Sequence, residues 1–155
     1  MTFDRSEFAR PEAELNELYR ELILDHYRNP QHRGHLTAPT ACHEGLNPLC
    51  GDEVTVEVLI NDNRIQDIAF TGSGCSISQS SASMMAEAVE GLSVDDALSL
   101  AADFVAMMSG RDENIDRNRL GDLEAMEGVR KFPVRVKCAT LAWHVFEEVL
   151  EKDGA

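Results

Sequence analysis

The sequence is poor in positive charge and has no long apolar stretch. Only 14 of its 155 residues are lysine or arginine, against 28 aspartates and glutamates, and the formal net charge is −14. Nucleic-acid binding needs cationic surface to neutralise phosphates, so this composition argues against a nucleic-acid partner. No apolar run approaches the roughly 18 residues that a membrane-spanning helix requires. We therefore expect no interaction with a membrane either.

The first eight residues, Met-Thr-Phe-Asp-Arg-Ser-Glu-Phe, lack the apolar core of a secretory signal. The sequence is also poor in cysteine, with four in total, and in a chain without an export signal these are more often ligands or nucleophiles than disulfides. We expect a cytoplasmic protein. The length and a hydrophobic fraction of 43% predict one domain over residues 1–155, in which residues 1–11 are expected to be flexible.

Hydrophobic periodicity predicts the regular elements. Apolar residues at helical spacing indicate a helix over 12–27, which ends before Pro30. Alternating apolar residues predict strands at 54–60 and 64–71, joined by a tight turn at Asp62-Asn63, and a short strand is expected near 40–44. Three helices should follow: one over 75–89, one that begins after a capping box at Ser93, and one that begins at Pro133.

The order of these elements predicts the fold class. Strands first and helices afterwards indicate an α+β domain with a small three-stranded antiparallel sheet and helices packed on one face. Residues 110–128 are polar and charged with little periodicity, which predicts an inserted segment exposed to solvent. Such a segment is also suited to docking a partner.

Three cysteines and one aspartate carry the chemistry that the sequence indicates. Cys50, Asp52, Cys75 and Cys138 lie far apart, each at the start of a regular element or early within one. Three thiolates and a carboxylate form a tetrahedral ligand set suited to zinc or to an iron–sulfur cluster. The sequence therefore predicts metal and sulfur chemistry.

The predicted hairpin offers a reason for two of these ligands to meet. If Asn61 faces Arg64 across the turn, a regular ladder continued outward sets Cys50 opposite Cys75, with β-carbons about 5 Å apart. A bulge would shift this pairing by one residue. Asp52 lies two residues from Cys50, which in extended chain places both side chains on one side of the strand.

Cys75 is predicted at a helix N-terminus, where the dipole favours thiolate. Cys138 lies on the apolar stripe of the last helix and could close the site, and Arg135 precedes it by one helical turn. The alternative interpretation of a lone buried cysteine such as Cys138 is a small hydrophobic residue of the core. Cys42-His43 is expected to be a reactive but incidental pair on a loop.

Four ordered motifs resemble the SufU-type members of the IscU/NifU-like iron–sulfur assembly proteins. A lysine, Lys137, stands where IscU-like scaffolds carry a histidine before the last cysteine, and residues 110–128 resemble the extra segment of the SufU-like branch. The matching stretches are Leu18-Tyr-Arg-Glu-Leu-Ile-Leu-Asp-His-Tyr-Arg-Asn-Pro30, Asn47-Pro-Leu-Cys-Gly-Asp52, Gly72-Ser-Gly-Cys-Ser-Ile-Ser-Gln-Ser-Ser81 and Val136-Lys-Cys-Ala-Thr-Leu-Ala-Trp143.

This resemblance implies a zinc-dependent sulfur acceptor that works with a PLP-dependent cysteine desulfurase of the SufS type. Cys50, Asp52, Cys75 and Cys138 would bind Zn²⁺. A histidine of the desulfurase would replace Cys50 on the metal, and the freed Cys50 would attack the desulfurase persulfide. Arg135 would hold or guide the released group, and the sulfur would pass to a cluster-building complex of the SufBCD type.

Two other functions are compatible with the same residues. One is a scaffold that assembles a [2Fe–2S] cluster on the same four ligands, for which Lys137 is poor support because an ammonium group cannot ligate iron. The other is an adaptor without catalytic activity, whose zinc only holds the fold together. Metal content and the effect on a desulfurase's turnover distinguish the three.

Overall fold

A three-stranded antiparallel sheet in the order β1-β2-β3 forms one layer of the protein. The computed structural model describes the backbone of residues 5–153 and the side chains of residues 17–151. The strands are β1 (Ala41–Asn47), β2 (Asp52–Asn61) and β3 (Arg64–Ser73). The expected short strand near residues 40–44 is β1, and both strands of the predicted hairpin are present.

Helices account for most of the other described residues, and the predicted α+β class is confirmed. The first helix begins at Arg5, seven residues before its predicted start. The predicted flexibility of residues 1–11 falls partly outside the described residues and stays a prediction. Across residues 5–153, none of the helices combines the length and hydropathy needed to cross a bilayer. The helices are α1 (Arg5–Arg28), α2 (Ser76–Val89), α3 (Val94–Met108), α4 (Arg117–Leu120), a 3-10 helix (Gly121–Lys131) and α5 (Pro133–Asp153).

Helix α5 connects most of the other elements through the core. It contacts β1, β2, α2, α3 and the 3-10 helix, and its Trp143 stacks on Phe104 of α3 with ring centroids 4.5 Å apart. Both rings are fully buried, and burying a large apolar side chain contributes about 1.5–3 kcal/mol. This packing fixes α5, and with it the depth at which Cys138 lies.

The predicted turn and its pairing of Asn61 with Arg64 are confirmed, but the register predicted for the rest of the hairpin is wrong. Asp62 and Asn63 adopt left-handed φ values of 52° and 60°, as a two-residue hairpin turn requires. The ladder then shifts by one residue between Leu59 and Ile60. Its last pair is Glu53 with Ser73, so the two cysteines expected to face each other lie beyond the ladder.

The predicted exposure of segment 110–128 holds only for residues 110–119, none of which is buried. It continues into the 3-10 helix, whose apolar residues recur every third position and are buried. Side chains three apart lie on one side of a 3-10 helix, so this spacing produces an apolar face. Arg117 and Arg130 both pair with Asp112 and tie the segment together. The buried residues are Leu120, Leu123, Ala125, Met126 and Val129.

Candidate metal centre

Asp52 is a buried carboxylate that has no cationic partner among the described side chains. It is the first residue of β2, is only 1% exposed, and accepts a hydrogen bond from the Cys75 amide at 2.9 Å. Within residues 17–151, no lysine, arginine or histidine nitrogen lies within 4.0 Å of its oxygens. A buried charge is costly unless it is paired or binds a metal. The carboxylate is therefore suited to a bound cation.

Cys50 lies in the turn between β1 and β2. The Asn47 carbonyl accepts a hydrogen bond from the Cys50 amide, and the Asn47 side chain accepts one from Leu49. Gly51 has a left-handed φ of 69°, so the chain between Cys50 and Asp52 is not extended. The prediction that extended chain aligns the two side chains is therefore wrong. The turn instead brings Cys50 to the same place, on a partly exposed loop.

Cys75 is the N-cap of α2, as its predicted place at a helix start requires. Its Sγ accepts a hydrogen bond from the Ser78 amide at 3.5 Å, and free N–H groups at this end favour a thiolate. The same Sγ lies 3.9 Å from Oδ2 of Asp52. Cys75 therefore joins the site through the cap of α2 and through Asp52, instead of through a strand pairing.

Cys138 closes the site from α5. Its side chain is 1% exposed, and its Sγ lies 3.0 Å from the Sγ of Cys50 and 3.9 Å from Nδ2 of Asn47. Burial raises the pKa of the Cys138 thiol far above its ordinary range, and hydrogen bonding to Asp52 and Cys50 raises it further. A divalent cation at this point would replace the proton, since metal ligands are deprotonated thiols.

The four side chains that the sequence singled out thus meet in one place. Cys50, Asp52 and Cys138 each offer an atom within 4.8 Å of the other two, and Cys75 adjoins them through Asp52. Sulfur ligands with one carboxylate suit tetrahedral zinc, and the same sulfurs also suit an iron–sulfur cluster. A zinc ion would leave the four anionic ligands with a charge of about −2.

The other predicted residues lie outside this cluster. Arg135 is exposed on the first turn of α5, where it lines a cleft together with Ser76, the residue after Cys75. Cys42 is on β1 and not on a loop, and slight burial together with the carboxylates of Glu57 and Glu44 raises the pKa of its thiol. A raised pKa leaves a smaller fraction of Cys42 as thiolate at neutral pH, which argues against the expectation that it is reactive.

Two residues at the site had no role assigned from sequence. Asn47 is buried, holds the Cys50 turn and approaches Cys138. Gly74 has a φ of 148°, and a Cβ there would lie 2.2 Å from Oδ1 of Asp52. Both flank the ligands in motifs already quoted, and an asparagine before a turn is a recognisable signal. The close approach of Gly74 to Asp52 has no sequence signal, because it depends on the end of the ladder.

We expect Gly74→Ala to weaken metal binding by roughly 10- to 100-fold, the usual effect of disturbing residues that orient metal ligands. The added methyl group must displace the Asp52 carboxylate, and the backbone conformation disfavours any side chain. Competition with a chelating dye measures the affinity. Gly128→Ala is the matched control, because a Cβ there meets nothing within 4 Å. Equal affinities for the two variants would contradict the prediction.

Comparison with known proteins places the chain in a family. The NifU-like N terminal domain family matches residues 18–139. The chain is 43% identical to the zinc-dependent sulfurtransferase SufU of Bacillus subtilis over 143 residues, covering 91% of this chain and 95% of that protein. It is also 43% identical over 142 residues to the iron–sulfur cluster assembly scaffold protein IscU of Streptococcus pyogenes, covering 92% and 88%.

A solved structure agrees with the fold. It is the crystal structure of a candidate iron–sulfur cluster assembly scaffold protein for the SUF system from Fervidobacterium islandicum AW-1. It superposes with a TM-score of 0.80 at 35% identity, covering 84% of this chain and 94% of that one. The ordered motifs, the fold and the extent of these matches lead to one conclusion: the chain belongs to the NifU-like N-terminal domain family, as its resemblance to IscU/SufU-type proteins predicted.

Proposed function

We propose that the protein is a zinc-dependent sulfur acceptor in iron–sulfur cluster biogenesis. It takes persulfide sulfur from a PLP-dependent cysteine desulfurase of the SufS type and passes it to a cluster-building complex of the SufBCD type. Cys50, Asp52, Cys75 and Cys138 hold the zinc ion. The similarity to a protein named a zinc-dependent sulfurtransferase supports this assignment. The cytoplasmic location of the protein stays a prediction.

One observation carries the proposal: three thiols surround a buried carboxylate that has no cationic partner among the described side chains. Purely structural packing would not place such a charge there, because a buried unpaired carboxylate costs several kcal/mol. A divalent cation offsets that charge. Bound zinc would also keep the cysteines deprotonated at neutral pH, and the thiolate is the form that attacks a persulfide.

Cys50 is the cysteine best placed to accept sulfur. It lies in an exposed turn whose neighbour Leu49 is 68% exposed, whereas Cys138 is buried in α5 and Cys75 caps α2. Its thiolate attacks the terminal sulfur of the donor persulfide. The donor's S–S bond breaks, its cysteine leaves as a thiolate, and a new S–S bond forms on Cys50. The exchange needs no oxidant or reductant.

Arg135 is the side chain proposed to guide the transferred sulfur. It is exposed one helical turn before Cys138, and within residues 17–151 it has no carboxylate within 4.0 Å. Its guanidinium group is therefore available to an incoming anion. A persulfide is anionic at neutral pH, so a fixed positive charge beside the cysteines favours its approach.

The second candidate function is a scaffold that assembles a [2Fe–2S] cluster on the same ligands. The equal identity to a protein named an IscU scaffold favours it. Against it stands Lys137, which is exposed before Cys138 and offers no ligand while it remains protonated. The two candidates differ in the resident metal.

We expect protein purified without reconstitution to contain about one zinc ion per chain and no iron–sulfur absorbance. We also expect it to stimulate sulfide release by a SufS-type desulfurase. Elemental analysis and a sulfide-release assay, performed on the same preparation, measure both. An iron–sulfur chromophore in place of zinc would favour the scaffold. Zinc without stimulation would indicate that the metal only holds the fold together.

A further inference from the structure

A cleft of about 560 Å³ opens between α1, the N-terminal end of α2, the 3-10 helix and the start of α5. It lies beside the metal centre without belonging to it. Ser76 in its wall follows Cys75 in sequence, and Arg135 in its wall precedes Cys138 by one helical turn. A group bound in this cleft would therefore lie close to the cysteines that handle sulfur.

The cleft is cationic in an acidic protein. Arg20, Lys131 and Arg135 line it, and among the side chains of residues 17–151 no aspartate or glutamate does. The whole chain has 14 cationic and 28 acidic residues, so the charge of this wall is opposite to that of the protein. Cations gathered in a concave surface attract anions and steer their approach.

These three cations are free of ion pairs with the side chains of residues 17–151. None of them lies within 4.0 Å of a carboxylate there, whereas Arg117, Arg119 and Arg130 on neighbouring elements are all paired. Paired arginines stabilise the segment that contains them. Unpaired ones at a cleft retain their full charge for a ligand from outside.

The rest of the lining is largely apolar. Ile23 of α1, Ile77 of α2 and Phe132 at the end of the 3-10 helix contribute to it, and Phe132 is 57% exposed. An exposed aromatic ring beside charged groups is typical of a protein interface. An inorganic anion would leave these apolar groups uncovered. A peptide with both acidic and apolar side chains would cover both kinds of surface.

We propose that this cleft binds an acidic, partly apolar segment of the protein that delivers sulfur. The segment anchors the donor beside the metal centre, with its carboxylates on Arg20 and Lys131 and an apolar side chain against Phe132. The inference rests on the proposed function, because it presupposes a sulfur-donating partner. It adds the place and the chemistry of a second contact, away from the transferring cysteine.

The test is a pair of doubly charge-reversed variants titrated with a SufS-type desulfurase. Arg20→Glu with Lys131→Glu alters the cleft, and Arg28→Glu with Arg111→Glu makes the same change in net charge at exposed positions elsewhere. We expect the cleft variant to bind about 100-fold more weakly, roughly tenfold for each reversed charge. The control should change by less than about threefold, because distant exposed charges are screened at physiological salt.

Equal weakening in the two variants, or normal binding by the cleft variant, would overturn the inference. Both variants must retain zinc, which shows that they are folded. If the unaltered protein neither binds nor stimulates the desulfurase, the proposed function itself fails. The two failures are thus distinguishable.

A photocrosslinker identifies the occupant. With p-benzoylphenylalanine at position 132, irradiation of the complex should link the cleft to a desulfurase peptide that contains several aspartates or glutamates and at least one large apolar residue. A linked peptide without acidic residues would overturn the assignment, and so would linkage to a second copy of this chain.

Discussion

Replacing Cys50 with alanine is expected to abolish sulfur acceptance and to return sulfide release to the rate of the desulfurase alone. The substitution removes the proposed nucleophile, and loss of a covalent nucleophile costs about 1000-fold or more in rate. Cys75 and Cys138 remain, but one caps a helix and the other is buried. Cys138 cannot approach a donor persulfide without local unfolding, and a Cys75 that reacts gives up its hydrogen bond to the first turn of α2.

Mass spectrometry of the protein after incubation with desulfurase and cysteine measures the outcome directly. The unaltered protein should gain one sulfur atom on the peptide that contains Cys50, and Cys50→Ala should gain none on any peptide. The assay is run with excess zinc, because the variant also loses a ligand. A Cys50→Ala protein that still carries transferable sulfur would contradict the assignment of the acceptor.

Cys42→Ala is the matched control for this experiment. The change is the same, from cysteine to alanine, but Cys42 lies on β1 outside the candidate metal centre. Slight burial and then neighbouring carboxylates raise the pKa of its thiol. We expect its sulfur acceptance to equal that of the unaltered protein. Loss of activity in this control would mean that surface thiols contribute to transfer and that Cys50 is not the sole acceptor.

The residues of the site could be predicted from sequence because residue type limits their chemistry. Tetrahedral zinc sites take their ligands from cysteine, histidine, aspartate and glutamate, and Cys75 stood after glycines at a predicted helix start. The hairpin turn was equally predictable, since Asp62 and Asn63 tolerate left-handed φ. Both inferences depend on local chemistry.

The way in which the ligands meet was not predictable. A one-residue shift between Leu59 and Ile60 moves every later pairing of the hairpin, and nothing in the alternating apolar pattern signals it. The ladder pairing of Cys50 with Cys75 was therefore wrong, although the two residues do reach one site. Gly51 before β2 and Gly74 after β3 both have positive φ, and the turns at these glycines bring Cys50 and Cys75 to the site in place of the ladder.

The buried half of the inserted segment and the cleft escaped prediction for related reasons. An apolar residue at every third position fits neither an α-helix nor a strand, so residues from Leu120 to Val129 gave no familiar periodic signal. Once folded, this segment supplies one wall of the cationic cleft. The cleft depends on how α1, the 3-10 helix and α5 pack. Contacts between residues distant in sequence produce no local pattern from which they could be predicted.

Asp52→Asn is expected to change the stability of the protein differently in its metal-free and its zinc-loaded form. Asparagine has nearly the same shape and keeps an oxygen to accept the hydrogen bond from the Cys75 amide. It carries no charge, however, and the buried carboxylate it replaces has no cation nearby within the described side chains. Without metal, removing that desolvated charge should leave the protein as stable as before or more stable.

With zinc the same change should be destabilising, because a neutral amide is a much weaker ligand than a carboxylate. A fall in zinc affinity of about 100-fold corresponds to roughly 2.7 kcal/mol. For a domain of this size that loss lowers the melting temperature of the zinc-loaded form by about 5–10 °C. The difference in melting temperature between zinc-loaded and metal-free protein should therefore narrow in the variant.

Calorimetry of the unaltered protein and of Asp52→Asn, each with and without zinc, measures the difference in melting temperature. The comparison separates a cation site from simple packing. If hydrogen bonds alone held the carboxylate, replacing it would lower the stability of the protein by the same amount with and without metal. Leu49→Ala, which alters an exposed side chain next to Cys50, serves as the control and should leave the difference unchanged. If Asp52→Asn lowers both melting temperatures equally, the buried carboxylate has a structural role and does not bind the metal.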